Sequence, residues 1–238
     1  MLNKESSLRD FQDLNKTLYL VINDRYYLAT DLFACMHRNI THVIKAIRKE
    51  KYDEKLEYRL CMTLSWSLAL TNRFHIDLAQ ELWKNFPGSC PYCSFAPCAC
   101  RERAPERQQV PRRLRNEPPV SLAQWQQMFA GIYINPLEVS KTHLSEEAGE
   151  VDEVIRIHFA KRNEQWFWKL VEELVDLVTN IFGVANSLEI DLAELMASYF
   201  ANGDCPKCHQ SPCSCEYIIL DEPAFSAKYP PKNPAANI

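Results

Sequence analysis

The chain contains 238 residues, of which 47% are hydrophobic, and its formal net charge is −4. This size and hydrophobic content allow one large or two small globular domains. The acidic balance disfavours a dedicated nucleic-acid binder, and only five glycines are present, which excludes a Gly-rich phosphate-binding loop. The N-terminal residues lack the apolar core of a signal peptide and no segment has the length of a membrane span, so we expect a cytoplasmic protein.

A cysteine pattern occurs twice in the chain. Residues 90–100 and 205–215 both have the sequence CPxCxxxPCxC, and they lie 115 positions apart. Matches at a separation of 114 extend the similarity to Ser7-Leu8 with Ser121-Leu122, Tyr19 with Tyr133, Lys55-Leu56 with Lys169-Leu170, and 76–79 with 190–193. Between Tyr19 and Lys55 the register has to shift by about three positions and return. We therefore predict a tandem repeat, with a first unit at 1–100, a basic linker at 101–120, a second unit at 121–215 and a Pro-rich tail at 216–238.

Helical periodicity dominates the second unit. Apolar residues recur at helical spacing from Leu122 to Ile132, and the pattern breaks at Asn135-Pro136. A second helix is predicted from Ser140 to Ala160. The first unit is expected to follow the same plan because its flanking residues match.

The remaining elements are also helical. A third helix follows the turn at 161–163, and a fourth begins after Asp191 as its N-cap and ends before Gly203 as its C′ residue. Gly88 holds the equivalent place in the first unit. Only Tyr217–Leu220 has the composition of a strand, so the predicted fold class is all-α.

Four acidic residues of the second unit are spaced to form a cluster. Glu147 and Glu150 are three residues apart on the second predicted helix, and Glu173 and Asp176 are three apart on the third. Residues at this spacing share a helix face, so two adjacent helices would bring the carboxylates together. Such a cluster repels itself unless a cation is bound, and an all-oxygen ligand set suits Mg²⁺ or Mn²⁺. The alternative is an ordinary solvated acidic face.

The first unit lacks these acids as a set. Its equivalent positions carry basic or uncharged residues: Cys35 or Met36, Arg38 or Asn39, Arg59, and Met62. The surrounding scaffold residues persist in both copies. This is the pattern expected of one working site and one degenerate partner.

The segment 143–195 combines EExxE at 146–150, ExxD at 173–176 and the sequence LEIDLAEL at 188–195. This combination resembles the MazG-like superfamily of all-α nucleoside triphosphate pyrophosphatases. The resemblance implies a duplicated helical bundle, or pseudo-dimer, that hydrolyses a nucleoside triphosphate to the monophosphate and pyrophosphate with Mg²⁺. By position it implies that the metal ligands are Glu147, Glu150, Glu173 and Asp176. A carboxylate not fully engaged by metal, Glu146 or Glu150, would accept the proton of the attacking water.

Four further residues are predicted to contact the substrate: Lys161, Arg162, Trp166 and Asn180. Lys161 and Arg162 lie in the turn between the acidic helices, where cations could bind phosphate oxygens, and they are equally consistent with ordinary turn residues. Trp166 could stack on a base, although aromatic residues near a helix start more often belong to the core. Asn180 lies one turn beyond Asp176 on the same face.

Each cysteine module supplies the four thiolates of a structural zinc site. The predicted ligands are Cys90, Cys93, Cys98, Cys100, Cys205, Cys208, Cys213 and Cys215. In a reducing compartment such clusters are better explained by metal than by disulfides. We expect about two zinc ions per chain, each bound within one module or at a site shared between repeats or between chains. His209 is not a required ligand because Ser94 holds its place in the first module.

The leading hypothesis from the sequence is a Mg²⁺-dependent pyrophosphohydrolase whose partner is a nucleoside triphosphate, with no membrane partner and with homo-oligomerisation left open. One alternative is a zinc-stabilised helical protein that binds nucleotides or has a regulatory role without turnover. Another is a nucleic-acid-binding zinc protein, for which the arginines between residues 101 and 115 would supply positive charge.

Overall fold

The computed structural model describes residues 2–100 and 117–215, and within these ranges it contains eight α-helices and no strand. The helices are α1 (Leu8–Tyr26), α2 (Ala29–Arg48), α3 (Glu54–Arg73), α4 (Leu78–Asn85), α5 (Leu122–Ile132), α6 (Leu137–Lys161), α7 (Glu164–Ser187) and α8 (Leu192–Tyr199). The all-α prediction is confirmed. The strand candidate at 217–220, the tail and all but the end of the linker lie outside the described residues. Among the helices described, none is both long and apolar enough to cross a membrane.

The two units begin with the same capping motif. The Ser7 hydroxyl accepts the Asp10 N–H at 3.0 Å, and the Asp10 carboxylate accepts the Ser7 N–H at 2.8 Å. Ser121 and Gln124 form the same reciprocal pair at the start of α5. These bonds satisfy N–H groups that a helix cannot pair internally. The two caps also meet, because Ser7 and Ser121 form an antiparallel bridge.

A glutamine in the first helix of each unit holds the start of its fourth helix. Gln12 donates to the carbonyl of Ile76 at 2.6 Å and accepts the N–H of Leu78 at 3.2 Å. Gln126 makes the same two bonds, at 2.7 and 2.9 Å, to the residues 114 positions further along. The repetition seen in the sequence is therefore also a repetition of hydrogen bonds.

The long helices α2, α3, α6 and α7 form the centre of the molecule. Within each unit the pairs α2–α3 and α6–α7 pack closely, and the pairs α2–α6 and α3–α7 pack across the two units. Buried aliphatic residues from both units, such as Leu64 and Leu174, belong to one continuous core. The two units therefore cannot bury their apolar faces independently.

The units differ in their first two helices. α1 has 19 residues where α5 has 11, and α2 has 20 where α6 has 25. Buried positions of α2 and α6 coincide at a separation of 112: Leu32 with Leu144, Met36 with Ala148, Asn39 with Val151, and Val43 with Ile155. The separation of 112 differs by two positions from the 114 of the flanking matches, whereas the sequence predicted a shift of about three. In this register Cys35 is equivalent to Glu147, and Arg38 is equivalent to Glu150.

Two predicted helix boundaries need correction. α6 begins at Leu137, before the expected Ser140, because Pro136 serves as its N-cap. α8 ends at Tyr199, so the prediction that Gly203 ends this helix as its C′ residue is wrong. Gly203 and Gly88 instead lie in the turns that lead into the cysteine modules, where their φ angles of 69° and 79° are left-handed. Glycine adopts this conformation without the strain that a side chain would cause.

Candidate functional site

Each cysteine module brings its four sulfur atoms into a compact group, all within 4.8 Å of one another. In the first module the Sγ atoms of Cys90 and Cys100 are 3.5 Å apart and those of Cys93 and Cys98 are 3.9 Å apart. Both corresponding distances in the second module are 3.8 Å. Four sulfurs bound at 2.3 Å around a tetrahedral zinc are about 3.8 Å apart. Each module could therefore bind one zinc with its own cysteines, which gives about two per chain.

Backbone N–H groups support the thiolates. The N–H of Ala99 lies 3.4 Å from the sulfur of Cys93, and the N–H of Ser214 lies 3.4 Å from that of Cys208. Slight desolvation opposes ionisation, but the N–H donors prevail and lower the pKa of Cys93 to about 7 and that of Cys208 to about 6. Thiolates are the form that binds metal. His209 is exposed and lies outside the sulfur group.

The two modules are attached to opposite units. The N–H of Cys98, in the first unit, donates to the carbonyl of Ile132 at the end of α5 at 2.7 Å. The N–H of Cys213, in the second unit, donates to the carbonyl of Leu18 in α1 at 2.8 Å. The acceptors are 114 positions apart and the donors 115, so the exchange is symmetric. Nothing in the local sequence predicted it.

Tyr133 links the first module to the acidic face of the second unit. Burial and the neighbouring Cys90 and Asp176 raise the pKa of Tyr133. The phenol therefore stays protonated and donates to the sulfur of Cys90. The first module borders the face of α7 that carries the predicted acids.

Helices α6 and α7 bring three of the four predicted acids together. Carboxylate oxygens of Glu147, Glu150 and Glu173 lie within 4.8 Å of one another. Glu173 is only 3% exposed, Glu147 is half-buried and Glu150 is exposed, so the group spans from the core to the surface. Asp176 lies one turn further along α7, outside this group, and its role as a metal ligand stays a prediction.

Charged neighbours shift the pKa values of two residues at this group. Partial burial and the adjacent Glu173 carboxylate raise the pKa of Glu150 above its ordinary value of 4.5, and the exposed Glu146 adds to this repulsion. Lys169 forms an ion pair with Glu173 at 2.5 Å and another with Glu172 at 3.6 Å. Partial burial opposes the ammonium form, but these acids prevail and raise the pKa of Lys169. Lys169 thus provides positive charge beside the buried Glu173.

Lys169 is a site residue that sequence reasoning missed. It precedes Glu173 by four positions, the spacing of an ion pair on one helix face, so the signal was present. In the first unit the equivalent pair is Lys55 and Arg59, two residues of like charge. The lysine therefore acts as the counter-charge of the acidic group only in the second unit.

The structure does not bring Lys161 and Arg162 to the carboxylates. Both are exposed at the turn between α6 and α7. Lys161 is eleven residues from Glu150 along α6, which corresponds to about 16 Å along the helix axis. Their predicted contact with phosphate would need a substrate that extends along the helix pair.

The other two predicted substrate residues have local partners. Trp166 is partly buried against the core. The amide of Asn180 donates to the carbonyl of Asp176 at 3.0 Å within α7. Their predicted contacts with substrate remain predictions.

The donor set of the acidic group fits a divalent cation. Carboxylate oxygens are the ligands that Mg²⁺ and Mn²⁺ prefer, and the three carboxylate groups offer oxygen atoms within 4.8 Å of one another. No family model, curated protein or solved structure matches the chain.

Proposed function

We propose that the chain is a Mg²⁺-dependent nucleoside triphosphate pyrophosphohydrolase, built as a tandem MazG-like bundle with its reaction site between α6 and α7. The observation that supports this proposal is the convergence of Glu147, Glu150 and Glu173. Clustered carboxylates that repel one another are costly unless a cation joins them. A polyphosphate is likewise anionic, so a divalent cation can join the two.

The residues divide into distinct roles in this proposal. Glu147, Glu150 and Glu173 would hold the metal, with Asp176 as a fourth ligand one turn away. Bound Mg²⁺ would neutralise phosphate charge and activate the attacking water. Glu146 lies outside the three-carboxylate group and is exposed, which suits a carboxylate that accepts the proton of that water. Half-exposed Lys169 supplies a cation for a phosphate oxygen.

We assign structural zinc to the two cysteine modules. Four thiolates complete the tetrahedral shell, so no position remains for a reacting water. The modules would instead fix the ends of α4 and α8, each against the opposite unit. This role is independent of turnover at the carboxylates.

The test is a hydrolysis assay on the full-length, zinc-loaded protein. Each of the common ribonucleoside and deoxyribonucleoside triphosphates is supplied with Mg²⁺, and the monophosphate and pyrophosphate are separated by ion-exchange chromatography. We expect at least one substrate to be cleaved, and Glu150→Gln and Asp176→Asn to lower the rate by about 10²-fold or more. Glu138→Gln, which removes an exposed acid at the start of α6, is the matched control and should leave the rate unchanged.

Two outcomes would overturn the proposal. One is that no triphosphate of the panel is cleaved, and the other is that Glu150→Gln remains as active as the wild type. Nucleotide binding without cleavage would favour the alternative of a binding protein without turnover.

A further inference from the structure

A cavity of about 520 Å³ lies in the first unit, between α1, α2, α3 and the second cysteine module. Its volume falls in the usual range for small-molecule sites. The four positions that correspond to the acids of the second unit all line it: Cys35, Arg38, Arg59 and Met62. The cavity is therefore the symmetry counterpart of the acidic group, and two of the acid positions carry arginine.

Positive charge has replaced negative charge at this place. Arg38, Arg59 and Lys207 line the cavity. Cys205, Cys213 and Cys215 of the second module form one wall. Arg59 donates to the amide oxygen of Asn39 at 3.1 Å and lies 5.4 Å from the ring centre of Tyr58. These contacts orient the Arg59 guanidinium, the side chain that suits oxyanions best because its donors form a planar fork.

Aromatic rings form another part of the wall. Trp66 and Tyr27 meet edge to face with ring centres 5.8 Å apart, and Tyr58 lies 5.5 Å from Tyr199. The greater length of α1 relative to α5 places additional residues against the cavity, including Asn23 and Tyr27. Rings beside arginines suit a ligand that has both a planar base and a phosphate.

We propose that this cavity is a second nucleotide site, which binds a nucleoside phosphate without a divalent cation. Arg38 and Arg59 contact the phosphate, and Trp66 with Tyr27 contacts the base. The first unit then has a binding role of its own beyond that of a scaffold. This inference does not depend on hydrolysis by the second unit.

The test is equilibrium dialysis with AMP, GMP, CMP and UMP as probes. The full-length, zinc-loaded protein is used in buffer freed of divalent ions by a chelating resin, so that the tightly held zinc stays in place. We expect at least one monophosphate to bind once per chain. Arg59→Gln should weaken it by about tenfold or more, the loss expected for a charge-assisted hydrogen bond. Arg156→Gln, which removes an exposed arginine on α6, is the matched control and should leave binding unchanged.

Two further variants sharpen the assignment. Lys207→Gln changes an exposed residue of the cavity lining, so it tests the positive charge of the cavity even if Arg59→Gln is unstable, and it should weaken binding by about twofold or more. Trp66→Leu should weaken nucleotide binding while inorganic phosphate competes as before. The proposal is wrong if none of the four probes binds at about 1 mM, if binding requires added Mg²⁺, or if inorganic phosphate binds as tightly as every nucleotide.

Two variants of the full-length protein, each measured for hydrolysis and for nucleotide binding, distinguish this site from the proposed reaction site. Glu150→Gln should abolish hydrolysis and leave magnesium-free binding unchanged. Arg59→Gln should weaken magnesium-free nucleotide binding and leave hydrolysis unchanged. Failure of one proposal therefore leaves the other open to its own measurement.

Discussion

The backbone N–H of Cys98 lies 2.7 Å from the carbonyl oxygen of Ile132, so the first cysteine module is hydrogen-bonded to the second unit. Cys213 and Leu18 repeat this bond in the opposite direction at 2.8 Å. Metal bound in one module would thus support a contact between units as well as its own loop. Loss of either metal is expected to lower the stability of both units.

Replacement of one module cysteine should remove one zinc and lower the thermal stability of the whole chain. For Cys98→Ser we expect zinc to fall from about two to about one per chain and a single unfolding transition at a lower temperature. Plasma mass spectrometry and a thermal melt measure these two quantities. Cys35→Ser, at a cysteine outside both modules, should keep both metals. An unchanged zinc content in Cys98→Ser would contradict the assignment.

Glu150→Gln should stabilise the protein when magnesium is absent. A carboxyl whose pKa is raised in the folded state favours folding when protonated. Its penalty is therefore absent below the ordinary value of 4.5 and complete above the raised pKa. The melting temperature of the wild type relative to Glu150→Gln should fall as pH rises through this window. Melts at a series of pH values show the difference.

Magnesium should reverse that penalty at neutral pH. Added Mg²⁺ is expected to raise the melting temperature of the wild type, since a ligand that binds the folded state stabilises it. Glu150→Gln should respond less. Equal responses of the two proteins would argue against metal binding at the acidic group.

Lys169→Met should destabilise the metal-free protein because it leaves the buried Glu173 carboxylate without its ammonium. We expect a loss of about 1–3 kcal/mol in urea unfolding, reduced from the cost of a fully buried pair because Lys169 is half-exposed. Lys141→Met removes the ion pair with the exposed Glu138 and should cost less than about 1 kcal/mol. Adding Glu173→Gln to Lys169→Met should restore much of the loss. No recovery would show that the ion pair is not the cause.

Gly149→Ala should stabilise α6 by about 1 kcal/mol, the difference in helix propensity between the two residues. A Cβ atom at this position would meet nothing within 4 Å. Urea unfolding measures the gain. A loss of stability would mean that the backbone of α6 needs glycine here for a reason other than space.

Features set by nearby residues were predictable from the sequence. The helix caps at Ser121 and Asp191 depend on side chains that reach the next turn, and the meeting of Glu147 with Glu173 follows from helical spacing on adjacent helices. The role of Gly203 was predicted wrongly because glycine is common both at helix ends and in left-handed turns. Here the turn lies four residues beyond the helix.

Features set by distant residues were not predictable. The cavity gathers side chains from α1, α2, α3 and the second module, and no local pattern indicates that a module will close on the opposite unit. The register between α2 and α6 was also open until burial defined it. In that register Arg38 is equivalent to Glu150, so the charge at this position changes sign between the two units.

Each cysteine module is hydrogen-bonded to the opposite unit, and this exchange is relevant to how such a chain can arise. The contacts exchanged between its halves are those that two identical chains would exchange in a symmetric dimer. In a dimer of that kind every substitution appears twice, so arginines at the acid positions would abolish both acidic groups. Joining the copies in one gene lifts this restriction, because glutamate and arginine can then occupy equivalent positions in every molecule in equal number.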